Sequence, residues 1–262
     1  MNSTGNIVRK LKIDALVVEI YDSPEEVALA ASYAARRVLD NTLALRHEAR
    51  VIFATGRSQK QCLHYLTDRP NKQLWSSITG FHLDEYLGLA AEHPASFRHY
   101  FQQHLPSRVA LKRFYELDGE SALPIDVCEA YEKELRSRPL DLCFLGIGNN
   151  GHLAFNDPSV ADFDDPRWVK LVRLDDKNRQ QQASSTAFAS IEAVPRYAFT
   201  LTLSAISAVL CNLCLVFGSH KADIVHTLLM GPIAPSCPAS ILRQIPGSTL
   251  LIDKAAASGL AT

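Results

Sequence analysis

Short apolar runs punctuate this chain at residues 15–20, 50–54, 78–83, 140–145, 197–203, 213–217 and 249–252, each bounded by turn residues. Several are apolar at successive positions, as a strand covered on both faces requires; a half-solvated strand would alternate. Between them lie stretches with helical spacing at 58–66, 93–103, 126–136 and 221–229. The first long helix opens at Ser23-Pro24-Glu25-Glu26, where Ser23 caps, Pro24 suits the first helical position and Glu26 completes a capping box. Its pattern carries it to about Asp40. Strand followed by helix, repeated, predicts the α/β class: a Rossmann-like, mostly parallel sheet flanked by helices on both faces. No internal repeat, low-complexity tract or long linker interrupts the pattern, so residues 1–262 read as a single domain.

Composition narrows the class of partner. With 47% hydrophobic and 21% charged residues the chain can bury a substantial core, and a formal net charge of -1 from intermixed acids and bases gives no global footprint for nucleic acid. No apolar run approaches the roughly 20 residues of a membrane helix. The polar N-terminus runs into Arg9, Lys10 and Lys12 without the apolar stretch of a secretion signal. The expectation is a cytoplasmic protein with a small-molecule ligand, no nucleic acid and no membrane, as a monomer or small homo-oligomer. Six cysteines are too few for a disulfide scaffold, and Cys62, Cys128 and Cys143 each read as core thiols. Cys211 and Cys214 spell C-x-x-C inside an apolar stretch, without the second pair or histidines that a zinc site needs.

Four segments carry candidate chemistry. In the first, the run 50–54 ends in Thr55, Gly56, Arg57 and Ser58 ahead of a helix, which offers free backbone N–H groups and a positive helix end to a phosphate. An ordinary Ser-capped turn is the alternative. In the second, Asp84 and Glu85 end the run 78–83, where the carboxyl ends of parallel strands line the ligand crevice and a carboxylate can act as a base. A solvated loop with a helix cap would use the same residues.

The third segment is the richest. Gly146, Gly148 and Gly151 match G-x-G-x-x-G after a strand, but a dinucleotide fingerprint should open directly into a helix, whereas here His152 follows and Pro158 interrupts. The glycines suit a sharp turn against a ligand that leaves His152 at the strand end with Asp157 within loop reach, an acid–base pair. In the fourth, Gly218-Ser219-His220-Lys221 joins a buried run to a helix and puts Lys221 where an anion could be held. A solvated first-turn lysine is the alternative there, as a surface charge is for Arg179.

Taken in order, these segments resemble the glucosamine-6-phosphate deaminase family, which shares its sheet-based fold with 6-phosphogluconolactonases. The resemblance spans nearly the whole chain. It rests on Leu83-Asp84-Glu85-Tyr86-Leu87-Gly88-Leu89 with His93-Pro94-Ala95-Ser96, and on residues 148–158 from Gly148-Asn149-Asn150-Gly151-His152 to Asn156-Asp157-Pro158. Val194-Pro195-Arg196-Tyr197 and Gly218-Ser219-His220-Lys221-Ala222 support it.

The resemblance implies ring opening of an amino-sugar 6-phosphate, enediol-type proton transfer between C2 and C1, and loss of ammonia to leave fructose 6-phosphate, without metal or other cofactor. By the same resemblance Asp84 shuttles the proton, and His152 serves ring opening with Asp157 and Asn150 beside it. Thr55, Gly56, Arg57, Ser58, Glu85, Gly151 and Lys221 form the substrate and phosphate set. The chain departs from the family at Asn150, where many members carry aspartate, at Asp157, where glutamate is usual, and at Ser184, where relatives place a phosphate-binding arginine. Arg57 stands in a loop where small residues are usual and is the candidate to replace that cation. The chain also stops soon after Asp253-Lys254, where larger allosteric relatives continue, so hexameric regulation is not expected. A 6-phosphogluconolactonase or related isomerase, and a non-catalytic sugar-phosphate sensor, are the alternative functions.

Overall fold

The computed structural model describes residues 5–68, 72–105, 109–175, 179–180, 182–183 and 188–260. The chain opens with a hairpin, β1 (Ile7–Ile13) and β2 (Leu16–Tyr21), then α1 (Pro24–Arg46), β3 (Ala49–Phe53), α2 (Arg57–Thr67), α3 (Lys72–Trp75) and β4 (Ile78–His82). Next come β5 (Asp84–Tyr86), α4 (Phe97–His104), β6 (Arg113–Tyr115), α5 (Pro124–Arg136), β7 (Leu142–Leu145) and β8 (Val169–Arg173). The last elements are β9 (Tyr197–Leu201), α6 (Leu203–Ser207), β10 (Asn212–Val216), α7 (Ala222–Met230) and β11 (Ser248–Asp253).

Among the described residues eight strands form one sheet in the order β1-β2-β11-β10-β7-β3-β4-β6, parallel throughout except for the antiparallel edge strand β1. The apolar runs are continuous because both faces are covered. Ile52, Cys143, Leu145, Cys214 and Ile252 pack on one side with Tyr131 of α5, Ile206 of α6 and Leu228 of α7. Their sequence neighbours Val51, Phe53, Phe144, Leu213 and Leu251 pack on the other with Ala31 of α1, Leu63 of α2 and Phe101 of α4. The side-chain period of two thus serves two cores at once. It also separates Cys211 from Cys214, which border opposite cores.

Several boundaries differ from the sequence expectation for stated reasons. In α1, Ser23 Oγ accepts from Glu26 N at 3.3 Å as the capping box requires, while Glu26 Oε2 accepts from Asp22 N at 3.1 Å, one residue earlier than the motif's usual partner. The helix continues past Asp40 to Arg46, whose guanidinium pairs with buried Asp141 at the start of β7, and closes at His47 in the left-handed region, φ 59°. The helix expected from residue 93 begins at Phe97, for a reason found in the site itself. Residues 197–203 were expected as a strand of the main sheet. Tyr197–Leu201 instead forms a second, three-stranded antiparallel sheet, β5-β9-β8, and Leu203 opens a helix capped by Thr202. The short strands β5, β6 and β8 and the solvated edge strand β1 lack the apolar runs that mark the others.

Candidate active site

Strand order locates the crevice. From β3 the chain proceeds outward through β4 to β6, and from β7 it proceeds the other way through β10 to β11, so the order reverses between the adjacent strands β3 and β7. In an open parallel sheet, ligands bind beyond the carboxyl ends of the strands at such a reversal. The loops leaving β3 and β7 there carry Thr55 to Ser58 and Gly146 to His152. The neighbouring strands β4 and β10 deliver Asp84 on one flank and Lys221 on the other.

β5 separates the two adjacent carboxylates. It pairs antiparallel with β9, Asp84 opposite Thr200 and Glu85 opposite Phe199, so their side chains leave on opposite faces. Glu85 is fully buried and saturated: its oxygens accept from Tyr86 N at 2.8 Å, Phe97 N at 3.1 Å, Arg98 N at 2.8 Å and Ser96 Oγ at 2.9 Å. Arg98, whose Nε lies 3.5 Å away, supplies the counter-charge. Glu85 therefore caps the N-terminus of α4, which is why that helix starts at Phe97 and not at residue 93. It stands apart from the crevice residues with which the sequence grouped it.

Asp84 is also buried, yet its carboxyl makes no hydrogen bond or ion pair with any described residue. Burial first, and then the charge of Glu85, raise its pKa well above the ordinary carboxylate range. A buried carboxyl with a raised pKa at the end of a strand can act as a base.

The loop after β7 is tied to the same place. Phe155 N donates to Thr200 Oγ1 at 3.1 Å and Asn156 Nδ2 to Leu201 O at 2.8 Å, so the loop hangs from the cross-strand partner of Asp84. Phe155 also packs on Tyr86, ring centroids 5.2 Å apart. Within the loop, His152 Nδ1 lies 2.7 Å from Asn150 Oδ1 and 3.0 Å from Asp157 Oδ1, and Asn150 Nδ2 donates to Asp157 Oδ1 at 2.8 Å. Both neighbours of Nδ1 are acceptors, so Nδ1 carries the proton and Nε2 keeps its lone pair for a substrate. Asn150 also accepts from the His152 backbone N–H at 3.1 Å. The shorter Asp157 does reach the imidazole, and Asn150 joins the two.

Gly148 makes room for that ring: a Cβ there would overlap the imidazole of His152. Gly151, at φ 84°, turns the chain back. Gly148→Ala is expected to displace the imidazole, with an overpacking cost of about 1–3 kcal/mol. Thermal unfolding together with turnover of a phosphosugar checks it, since an unchanged kcat would show that the ring position is immaterial.

On the β3 side, Gly56 (φ 111°) is the N-cap of α2 and Arg57 its first residue. Gln59, buried, donates to Leu145 O at 2.9 Å and to Ser58 Oγ at 3.2 Å, pinning this loop to the end of β7. Arg57 is exposed and its guanidinium engages no described residue. On the β10 side, Lys221 Nζ donates to Ile147 O at 2.8 Å and Asn149 Oδ1 at 2.6 Å, so it reaches across the reversal to the histidine loop, and burial lowers its pKa.

Three positioning residues lay outside the sequence-derived set. Gln59 has just been described; Asn156 holds the histidine loop to β9; and buried Asp253 accepts from Gly218 N at 3.0 and 3.1 Å, fixing the turn that leads to Lys221. The available signal for Asp253 was its place at the end of the apolar run 249–252, and for Asn156 no more than its place in the histidine segment. Gln59 had none. Arg179 is half-buried and donates to Ile191 O at 2.6 Å and Val194 O at 3.2 Å, holding a loop and not standing as a surface charge. Ser184 lies outside the described residues. Among the described residues no cluster of three or more histidines, cysteines or acids suits a metal ion, and no helix is long and apolar enough to cross a membrane.

Comparison with known proteins bears on the family and the fold. A sequence model of the family described as glucosamine-6-phosphate isomerases/6-phosphogluconolactonase matches residues 22–251. The glucosamine-6-phosphate deaminase of Listeria monocytogenes serotype 4a is 36% identical over 182 residues, 70% of this chain and 76% of that protein. The one of Bacillus cereus strain B4264 is 32% identical over 239 residues, 91% of this chain and 87% of that protein. A solved monomeric glucosamine-6-phosphate deaminase, described as a missing link of the NagB superfamily, superposes with a TM-score of 0.82 at 31% identity, covering 92% of this chain and 99% of its own. The 6-phosphogluconolactonase of Thermotoga maritima superposes with a TM-score of 0.73 at 20% identity, covering 91% of this chain and 100% of its own, a likeness of fold alone.

Proposed function

The chain belongs to the glucosamine-6-phosphate isomerase/6-phosphogluconolactonase family of enzymes, and from that membership we propose that it deaminates glucosamine 6-phosphate to fructose 6-phosphate and ammonia. His152 Nε2 takes the proton of the anomeric hydroxyl and returns it to the ring oxygen as the C1–O5 bond breaks. Asp84 then removes the proton from C2 and returns it to C1 while a proton of the substrate ammonium passes to O1, converting the open-chain amino aldehyde through an enolamine to a C2 iminium. Water adds to that iminium, and the C–N bond breaks to leave the ketone and ammonia. Thr55, Gly56, Arg57, Ser58 and Lys221 hold the phosphate, binding energy supplied away from the reacting carbons. Gly151 gives the loop its turn beside the substrate. The enzyme works in the cytoplasm as a single catalytic domain, a monomer or small homo-oligomer; the monomeric relative supports one chain sufficing.

The observation that carries this proposal is Asp84, a buried carboxyl without a partner among the described residues, hung through Thr200 from the same strand as the His152 loop. Purified protein incubated with glucosamine 6-phosphate should release ammonium and fructose 6-phosphate in equal amounts. Binding of the phosphosugar without release of either product overturns the proposal. Lys221→Ala removes a charge-assisted contact to phosphate and should raise KM roughly 10- to 100-fold with a much smaller change in kcat. Steady-state kinetics at saturating substrate separates the two.

A further inference from the structure

Beside the proposed phosphate loop, on the outer flank of α2, lies an open depression of about 310 Å³ lined by Arg57, Lys60, Gln61, His64 and His104. The first four share one face of α2 at helical spacing, and His104 comes from the last turn of α4. The ring of Tyr100 packs edge-on against His104, centroids 4.6 Å apart, and its hydroxyl lies 3.4 Å from Gly56 O, fixing α4 against the start of α2. Among the described residues no acid lines the depression. The nearest carboxylate by hydrogen bonding is Glu25 of α1, reached through Tyr65, which takes Gln61 Nε2 at 3.4 Å and donates to Glu25 at 2.9 Å.

Two other basic groups are balanced by acids. A second depression at the opposite end of the sheet is lined by Arg50, Lys112, Arg113 and Arg138, but Glu48 and Glu134 line it too. Glu48 pairs there with Lys112 at 2.8 Å and Arg138 at 3.0 Å. Arg98 is likewise offset by Glu85, Asp118 and Glu120. On α2, by contrast, Arg57 and Lys60 engage no described residue, although like charges one turn apart on a helix repel. An external anion relieves that repulsion, and the volume sits at the lower end of the about 300–1,000 Å³ usual for ligand sites.

We propose that this depression is a second anion site, taking inorganic phosphate or the phosphate group of a small ester, distinct from the position in the crevice and bordering it through Arg57. Occupancy is independent of the reaction assigned above. The test titrates the full chain at fixed pH with inorganic phosphate, and separately with fructose 6-phosphate, while the His64 and His104 imidazole resonances are followed by NMR; His64→Gln assigns the first of them. Both resonances should move saturably, and Lys60→Ala should raise the midpoint at least tenfold while leaving KM for glucosamine 6-phosphate within twofold. Tighter response to inorganic phosphate or to the ester tells which source the site prefers. A stationary His64 resonance, a response unchanged in Lys60→Ala, or a parallel tenfold rise in KM overturns the proposal, the last by showing one site and not two. The titration involves no turnover, so absence of deamination would leave it intact, and failure to bind phosphate here would leave the deamination proposal intact.

Discussion

Asp84→Asn is expected to lower kcat for glucosamine 6-phosphate deamination by about 10²- to 10⁴-fold, the range that one positioned acid–base group contributes. The amide keeps the size of the side chain and cannot take the C2 proton, so KM should stay within a fewfold of the wild type. In the wild type, the acid limb of the kcat/KM profile should lie above the ordinary carboxylate range, since burial and Glu85 raise the pKa of Asp84. Stability should move the opposite way. The folded chain holds the Asp84 proton more tightly than the unfolded chain, so between the two pKa values it binds more protons and loses stability as pH rises. The wild type therefore gives up stability above the ordinary carboxylate range, and Asp84→Asn, which cannot ionise, should unfold at an equal or higher temperature at neutral pH. An active Asp84→Asn variant would remove the proposed base; an inactive variant that is also strongly destabilised would show that Asp84 is structural.

Glu85→Ala should do the reverse of its neighbour's substitution. It removes the acceptor of four hydrogen bonds and the counter-charge of buried Arg98 at once. Breaking one partner of a buried charged pair costs about 3–5 kcal/mol. At about 2–4 °C per kcal/mol for chains near this size, Tm should fall by roughly 6–20 °C. The loss is centred on the start of α4, where hydrogen exchange should quicken first. Glu85→Gln keeps two acceptor lone pairs for the helix N–H groups and should recover part of the loss. A raised KM with unchanged Tm in Glu85→Ala would instead return this residue to the substrate set.

Much of the site was legible because its chemistry is written in short segments. A strand that ends in Thr55-Gly56-Arg57-Ser58, or one that ends in Gly146 to His152, displays its loop wherever the strand lies in the sheet, and parallel strands present all such loops at one edge. The same locality hid other parts. The start of α4 at Phe97 depends on a carboxylate twelve residues upstream, so the residues just around His93 do not contain its cap. The second sheet depends on β5 meeting β9 across more than a hundred residues, and three residues of strand carry too little periodicity to announce it. Gln59 reads as a solvated helix residue until β7 is laid beside α2.

The order of apolar and polar residues by itself determined the alternation of strands and helices, the double-sided burial of the sheet, and the loops that carry Asp84, His152 and Lys221, because each of these follows from contacts within a few residues. Only the tertiary structure decided which of two adjacent carboxylates caps a helix, whether Asp157 reaches His152, and that Arg57 and Lys60 meet no acid among the described residues. Those outcomes depend on strands and helices distant in the chain, and a sequence pattern cannot say which surfaces the folded backbone brings into contact.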